Sequence, residues 1–200
     1  MSKPIWKIAA LAVLLPSTTL ASDGLNGANT AWILTATALV LMMTLPGLSL
    51  FYGGLVRVKN ILSILMQCFA VTCVASLLWL LVGYSMAFSE GNAFVGGFDN
   101  ILMGAVTEDS MVGDIPESVF AMFQMTFAII TPALISGAVA ERMRFGAYLL
   151  FMSLWILLVY CPLAHMVWGN GGIFNWALGG RIPVMDFAGG IVVHISSGFA

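Results

Sequence analysis

Four long stretches of this chain contain no Asp, Glu, Lys or Arg, and this pattern limits the possible folds more than any other feature. They run from Thr30 to Val56, Ile61 to Ser89, Ser118 to Ala140 and Phe145 to Ala164. Each holds at least 20 residues, enough for a helix to cross the roughly 30 Å hydrocarbon core of a bilayer. A fifth stretch starts near Phe187 and reaches Ala200, where about 14 residues give only roughly 21 Å of helix. That span is expected to be incomplete and the chain to be a piece of a longer protein. In lipid every backbone polar group needs an internal partner, so apolar runs of this length predict helices. The expected class is all-α, a polytopic transmembrane helical bundle.

Composition points the same way. Apolar residues make up 60% and charged residues 8%, with a mean hydropathy of +1.02. Soluble chains are about a quarter charged. So few charges cannot clothe a globule in wetted surface, and they leave no basic patch for a nucleic acid. Disorder is excluded by the same figures. Cys68, Cys73 and Cys161 all lie in apolar runs and form neither a disulfide framework nor a metal-ligand spacing, so they read as small buried side chains. There is no phosphate-binding glycine loop, no nucleophile elbow and no carboxylate pair within a span. An enzyme is not expected, nor a cofactor or metal.

Residues 1–21 read MSKPIWKIAALAVLLPSTTLA. Lys3 and Lys7 make a basic start, Ile8 to Leu15 is too short to span, and Thr19-Leu20-Ala21 offers a small-residue cleavage site. This predicts a cleavable secretory signal, with residues 22–200 as the membrane domain and the new N-terminus outside the cytoplasm. The loop charges give the same orientation independently. Arg57 and Lys59 lie between spans one and two, and Arg142 and Arg144 between spans three and four. Glu90, Asp99, Glu108, Asp109, Asp114 and Glu117 occupy the loop between spans two and three, which has no basic residue. The positive-inside rule places the first two loops in the cytoplasm and the acidic loop outside. Pro46-Gly47, Thr131-Pro132, Gly189-Gly190 and the Ser136/Ala140 pair predict closely packed, interrupted helices.

Two histidines and an aromatic line are the candidates for chemistry. Asp186 is a good N-cap for span five, and its negative charge suits the positive end of the helix. His194 follows eight residues later, about 12 Å inside at helical rise. His165 lies at the outer end of span four, where a polar anchor or loop hydrogen bond is the expected role. Phe120, Phe123 and Phe127 share one face of span three. Phe127 lies roughly 14 Å inside, at a depth similar to His194. Trp168 sits at the outer mouth, at the head of a glycine-rich aromatic loop running to Trp176. Together these residues suggest one inward path. No span carries a charge at mid-membrane, as a route for a metal ion or organic acid usually does. Aromatic faces attract small cations by roughly 0.5–2 kcal/mol each. A solute that sheds a proton escapes the cost of crossing charged, and an imidazole can relay that proton. Ammonium fits and potassium does not. A haem held by His165 and His194 is disfavoured because the two differ in depth by several turns.

The strings PGLSLFYGGLVRVKN (46–60), FQMTFAIITPALISGAVAERMRF (123–145), AHMVWG (164–169) and DFAGGIVVHISSG (186–198) resemble, in order, the bacterial branch of the ammonium transporter family, which includes the methylammonium permeases and Rhesus proteins. The resemblance implies eleven membrane helices built from two inverted five-helix repeats, of which this chain holds the first. It implies homotrimers in the inner membrane with one pore per subunit, and no nucleic acid as partner. By resemblance, Phe123 and Trp168 belong to the outer ammonium-recruiting site, Phe127 to a phenylalanine gate, and His194 to a pair of pore histidines. Gln124 is a further candidate for pore contact, and Asp186 organises the outer site without touching the ion. The second gate phenylalanine and the partner histidine belong to the other repeat. The implied activity is recruitment of ammonium (or methylammonium), deprotonation, and passage as ammonia. An ammonium sensor fused to or coupled with a signalling module is the alternative. A small nitrogen-regulatory signalling protein that plugs the cytoplasmic mouth is an implied partner.

Overall fold

The computed structural model describes residues 24–200, so the signal segment expected over 1–21 lies outside the described residues. Four helices long and apolar enough to cross a membrane follow one another: α1 (Gly27–Leu55), α2 (Val58–Phe88), α3 (Glu117–Val139) and α4 (Phe145–Trp168). A shorter α5 comprises Gly190–Ile195 and Ser196–Gly198.

The helix termini follow local chemistry. Asn26 caps α1, its side-chain oxygen accepting from the backbone N–H groups of Ala28 and Asn29 at 3.1 Å each. Within α1, Leu45 leaves helical geometry (φ −124°, ψ 105°) just before Pro46, so the Pro46-Gly47 signal marks a true break. By contrast, α3 passes through Pro132 without interruption. Span four continues past the expected end at Ala164 and takes in both His165 and Trp168. The polar His165 can stay helical because its ring faces backbone acceptors, and the chain turns only at Gly169, whose N–H reaches the carbonyls of Ala164 and His165.

Helix α3 is the central element. Half of its apolar window is buried, against 11% of that of α1. It packs on α1, α2 and α5, while α4 lies against α2. The shared core is built from Val71, Ala75 and Trp79 of α2, Ala128, Ile129 and Ala133 of α3, and Tyr148, Met152 and Ile156 of α4. The small α3 residues admit the aromatic groups of their neighbours. Trp79 donates its indole N–H to the Ala121 carbonyl at 3.1 Å, and Tyr52 donates to the Leu134 carbonyl at 2.7 Å. On the outside, Leu62 is 80% exposed and Leu158 70%, the apolar surface expected of helices facing lipid.

The loops at the two ends differ in character. At the basic end, Glu141 bridges the α3–α4 loop to the α1–α2 loop. Its carboxylate accepts from Asn60 Nδ2 at 2.6 Å and from the Arg57 backbone N–H and Nε at 3.0 Å each. These hydrogen bonds, Asn60's the strongest, hold the carboxyl at about 2 rather than 4.5. At the other end the α2–α3 connection carries a small antiparallel hairpin, β1 (Met111–Val112) with β2 (Ile115–Pro116), turned at Gly113 with φ +63°. Asp114 of that turn accepts from Asn29 Nδ2 at 2.6 Å and so pins the start of α1.

Candidate functional site

At the hairpin end, α3, α4 and the segment leading into α5 border an open cavity of about 600 Å³. Phe123, Gln124 and Phe127 of α3, Trp168 of α4, and Asp186 all line it. Five of the six residues to which the resemblance assigns a role are therefore gathered around one space.

The rings form a continuous chain. Phe123 and Phe127 meet edge to face at 5.0 Å between centroids, and Phe127 meets Trp168 at 6.2 Å. Trp168, expected at the outer mouth, lies against Phe127 in the fold. Phe120 also borders the cavity, yet its partner is Phe88, at 5.0 Å, so the α3 stripe divides between two aromatic groups. Over the opening, Trp176 and Phe187 lie 6.0 Å apart.

Asp186 does more than cap. Its Oδ1 accepts from the backbone N–H groups of Gly189 and Gly190 at 2.7 and 2.8 Å, and its Oδ2 from those of Ile191 and Val192 at 2.8 and 3.0 Å. The expected helix start directly after Asp186 is corrected. The chain first loops through Gly189, at φ +82°, and α5 begins at Gly190. One carboxylate thus satisfies four donors at the start of the helix and answers its positive end. The Asp186 carbonyl also accepts the Trp168 indole N–H at 3.0 Å. The same residue therefore fixes both α5 and the tryptophan at the cavity.

Gln124 presents an anomaly with chemical content. Its Oε1 is buried and has no hydrogen-bond partner. Such an acceptor costs about 1–3 kcal/mol unless something donates to it.

His194 is not among the residues lining this cavity. It lies on an exposed side of α5, and its ring forms no hydrogen bond among the described residues. Because α5 starts at Gly190, His194 is only about 6 Å along the helix rather than 12 Å. His165 is fully buried, with Nδ1 3.1 Å from the Ala87 carbonyl and Nε2 2.9 Å from that of Asn92. The ring thus sits between two carbonyls, to one of which a neutral imidazole donates, and it ties α4 to the end of α2 and the loop that follows. No cluster of metal-ligating side chains occurs among the described residues.

Sequence reasoning missed the brace beneath the loop. Asn175 is buried, donating to the Gly169 carbonyl at 2.8 Å and accepting from the Leu178 N–H at 2.9 Å. An asparagine inside a glycine-rich aromatic loop was the available signal.

The profile of the Ammonium Transporter Family matches residues 31–200. The chain belongs to the ammonium transporter family. An ammonium transporter of Bacillus subtilis (strain 168) is 51% identical over 176 residues, covering 86% of this chain and 41% of the relative. The chain thus spans about two-fifths of the length of the curated relatives it matches. Among solved structures, the N240A mutant of Candida albicans Mep2 superposes with a TM-score of 0.77 at 37% identity, over 88% of this chain and 38% of that one. A structure described as a sensor Amt protein superposes at 0.73 with 26% identity, over 86% of this chain and 42% of its own. The relatives of this family member are transporters rather than enzymes.

Proposed function

We propose that the chain is the first five-span unit of an ammonium transporter whose outer site is the aromatic cavity. The observation that carries this reading is the Phe123–Phe127–Trp168 ring chain, with Trp168 tied to Asp186. Two ring faces supply about 1–4 kcal/mol of attraction to a small cation. That recruits ammonium but falls far short of the roughly 20 kcal/mol needed to take a bare charge into an apolar channel. The solute therefore leaves its proton at the Phe127 gate and passes inward as ammonia. Gln124 lines the same cavity beside that gate. His194, with its ring free among the described residues, takes up and relays the proton. Asp186 organises the site from behind.

In this proposal the hairpin end faces outside and the end with Arg57, Lys59, Arg142 and Arg144 faces the cytoplasm. The whole protein is a homotrimer of the inner membrane, handles methylammonium as it does ammonium, and meets a nitrogen-regulatory partner at its basic end. The likeness to the sensor structure favours a second reading, in which the same cavity serves detection. Full-length protein in liposomes tests the first. Ammonium addition should drive a current that falls in His194→Ala, and an unchanged current in that variant would overturn the histidine relay.

A further inference from the structure

Trp176 and Phe187 border the aromatic cavity together with Phe127 and Trp168, yet they stand outside the Phe123–Phe127–Trp168 ring chain. Their centroids lie 6.0 Å apart at an interplanar angle of 58°. Trp176 is 52% exposed and Phe187 80%, so a solute at the mouth reaches both rings.

The backbone that carries these open rings is held. Asn175, just before Trp176, is buried; its Nδ2 donates to the Gly169 carbonyl and its Oδ1 accepts from the Leu178 N–H. Gly169 directly follows Trp168, so one side chain ties together the backbone beside both tryptophans. The Asn175 carbonyl accepts from the Gly180 N–H at 2.7 Å, and the Phe174 carbonyl from the Val184 N–H at 2.9 Å. These bonds close the turn that presents Trp176. Phe187 follows Asp186, whose carboxylate is fixed by four backbone donors.

The lining contains one carboxylate, that of Asp186, and no Lys, Arg or His; Arg181 of the same loop is not part of it. This balance favours a cation. The polar side chains, however, leave no open acceptor for one. Asp186 spends both oxygens on backbone donors, Asn175 is 3% exposed, and Gln124 Oε1 is buried. What the side chains at the mouth offer a cation is ring face, and an indole attracts cations more strongly than other rings. A water-sized ion takes up about 30 Å³. A cavity of about 600 Å³ therefore has room for a position beside Trp176 as well as one at Trp168.

On the reading of this cavity as the outer site of an ammonium transporter, on which the step rests, we infer that Trp176 and Phe187 form an earlier docking stage. The ammonium ion rests there on ring faces before it reaches Trp168. Because no side-chain acceptor replaces its water, the ion keeps most of its hydration shell at this stage.

The test is the concentration dependence of methylammonium uptake by the full-length protein in liposomes. Trp176→Leu keeps an apolar side chain and removes the ring face, so the apparent KM should rise about two- to fivefold. The maximal rate should stay near that of the wild type, because the Phe127–Trp168 contact is untouched. Trp176→Phe keeps a ring and should recover most of the lost affinity. Equal impairment in the Leu and Phe variants, or a fall in maximal rate at unchanged KM, would overturn the stage in favour of a packing role. Trp168→Leu is measured in parallel. A raised KM there beside a wild-type KM in Trp176→Leu would overturn this stage alone. A wild-type KM in both variants would overturn the reading of the cavity as well. Thermal midpoints matching the wild type confirm that the variants are folded.

Discussion

Replacing Asp186 by asparagine isolates what one carboxylate does at the aromatic cavity. The side chain keeps its shape but exchanges one acceptor oxygen for an NH2 group. Two of the four backbone donors at Gly189, Gly190, Ile191 and Val192 then face another donor. Each lost charge-assisted bond costs about 1.5–3 kcal/mol, giving about 3–6 kcal/mol for the pair. Loss of the charge at the helix start adds about 0.3–1 kcal/mol. In the full-length protein, about twice as long as this chain, each kcal/mol lowers Tm by roughly 1 °C, so the variant should melt at least roughly 3 °C early. The assay is a thermal melt of the full-length protein in detergent, paired with methylammonium uptake. Uptake should fall too, because the loosened segment carries the carbonyl that holds Trp168 against Phe127. Trp168→Phe separates the two effects, since it keeps a ring but gives up the indole N–H bond. An Asp186→Asn protein that melts with the wild type would show that the four-donor grip of Asp186 does not hold the start of α5.

Gln124→Leu removes a buried acceptor that nothing satisfies, so Tm should hold or rise while methylammonium uptake falls; a rise in Tm with full uptake would make Gln124 a mere packing residue. Glu141 gives a pH signature. Its folded value of about 2 lies below the ordinary 4.5, so its stabilisation is fully present above pH 4.5 and is lost as pH falls toward 2. The gap in Tm between wild type and Glu141→Gln should therefore close over that window, and a gap that stays constant from pH 7 to 2.5 would contradict the Asn60–Glu141–Arg57 bridge.

The helices were legible because charge-free runs of such length admit one solution in lipid, and Pro46-Gly47 announced the break in α1. What the sequence concealed was who meets whom. His165 looked like the polar end of a span, but long-range acceptors at Ala87 and Asn92 let the helix continue to Trp168. Arg57 read as an orientation charge, and its partner Glu141 lies 84 residues away. The face shared by Phe120, Phe123 and Phe127 was visible in the spacing; the division of those rings between Phe88 and Trp168 depends on neighbouring helices. Asp186 was recognised as a cap, whereas the four-donor grip across a loop needed Gly189 in a left-handed conformation. The hairpin at Met111–Pro116 is too short to leave a period in the sequence.

The central claim is that the aromatic cavity admits a cation only if it can leave its proton behind. Ion flux through the full-length protein in liposomes, with ammonium and potassium compared at equal gradients, tests this most directly. Transport is expected with ammonium and none with potassium, even though aromatic faces attract both ions. Potassium flux comparable to that of ammonium would contradict it.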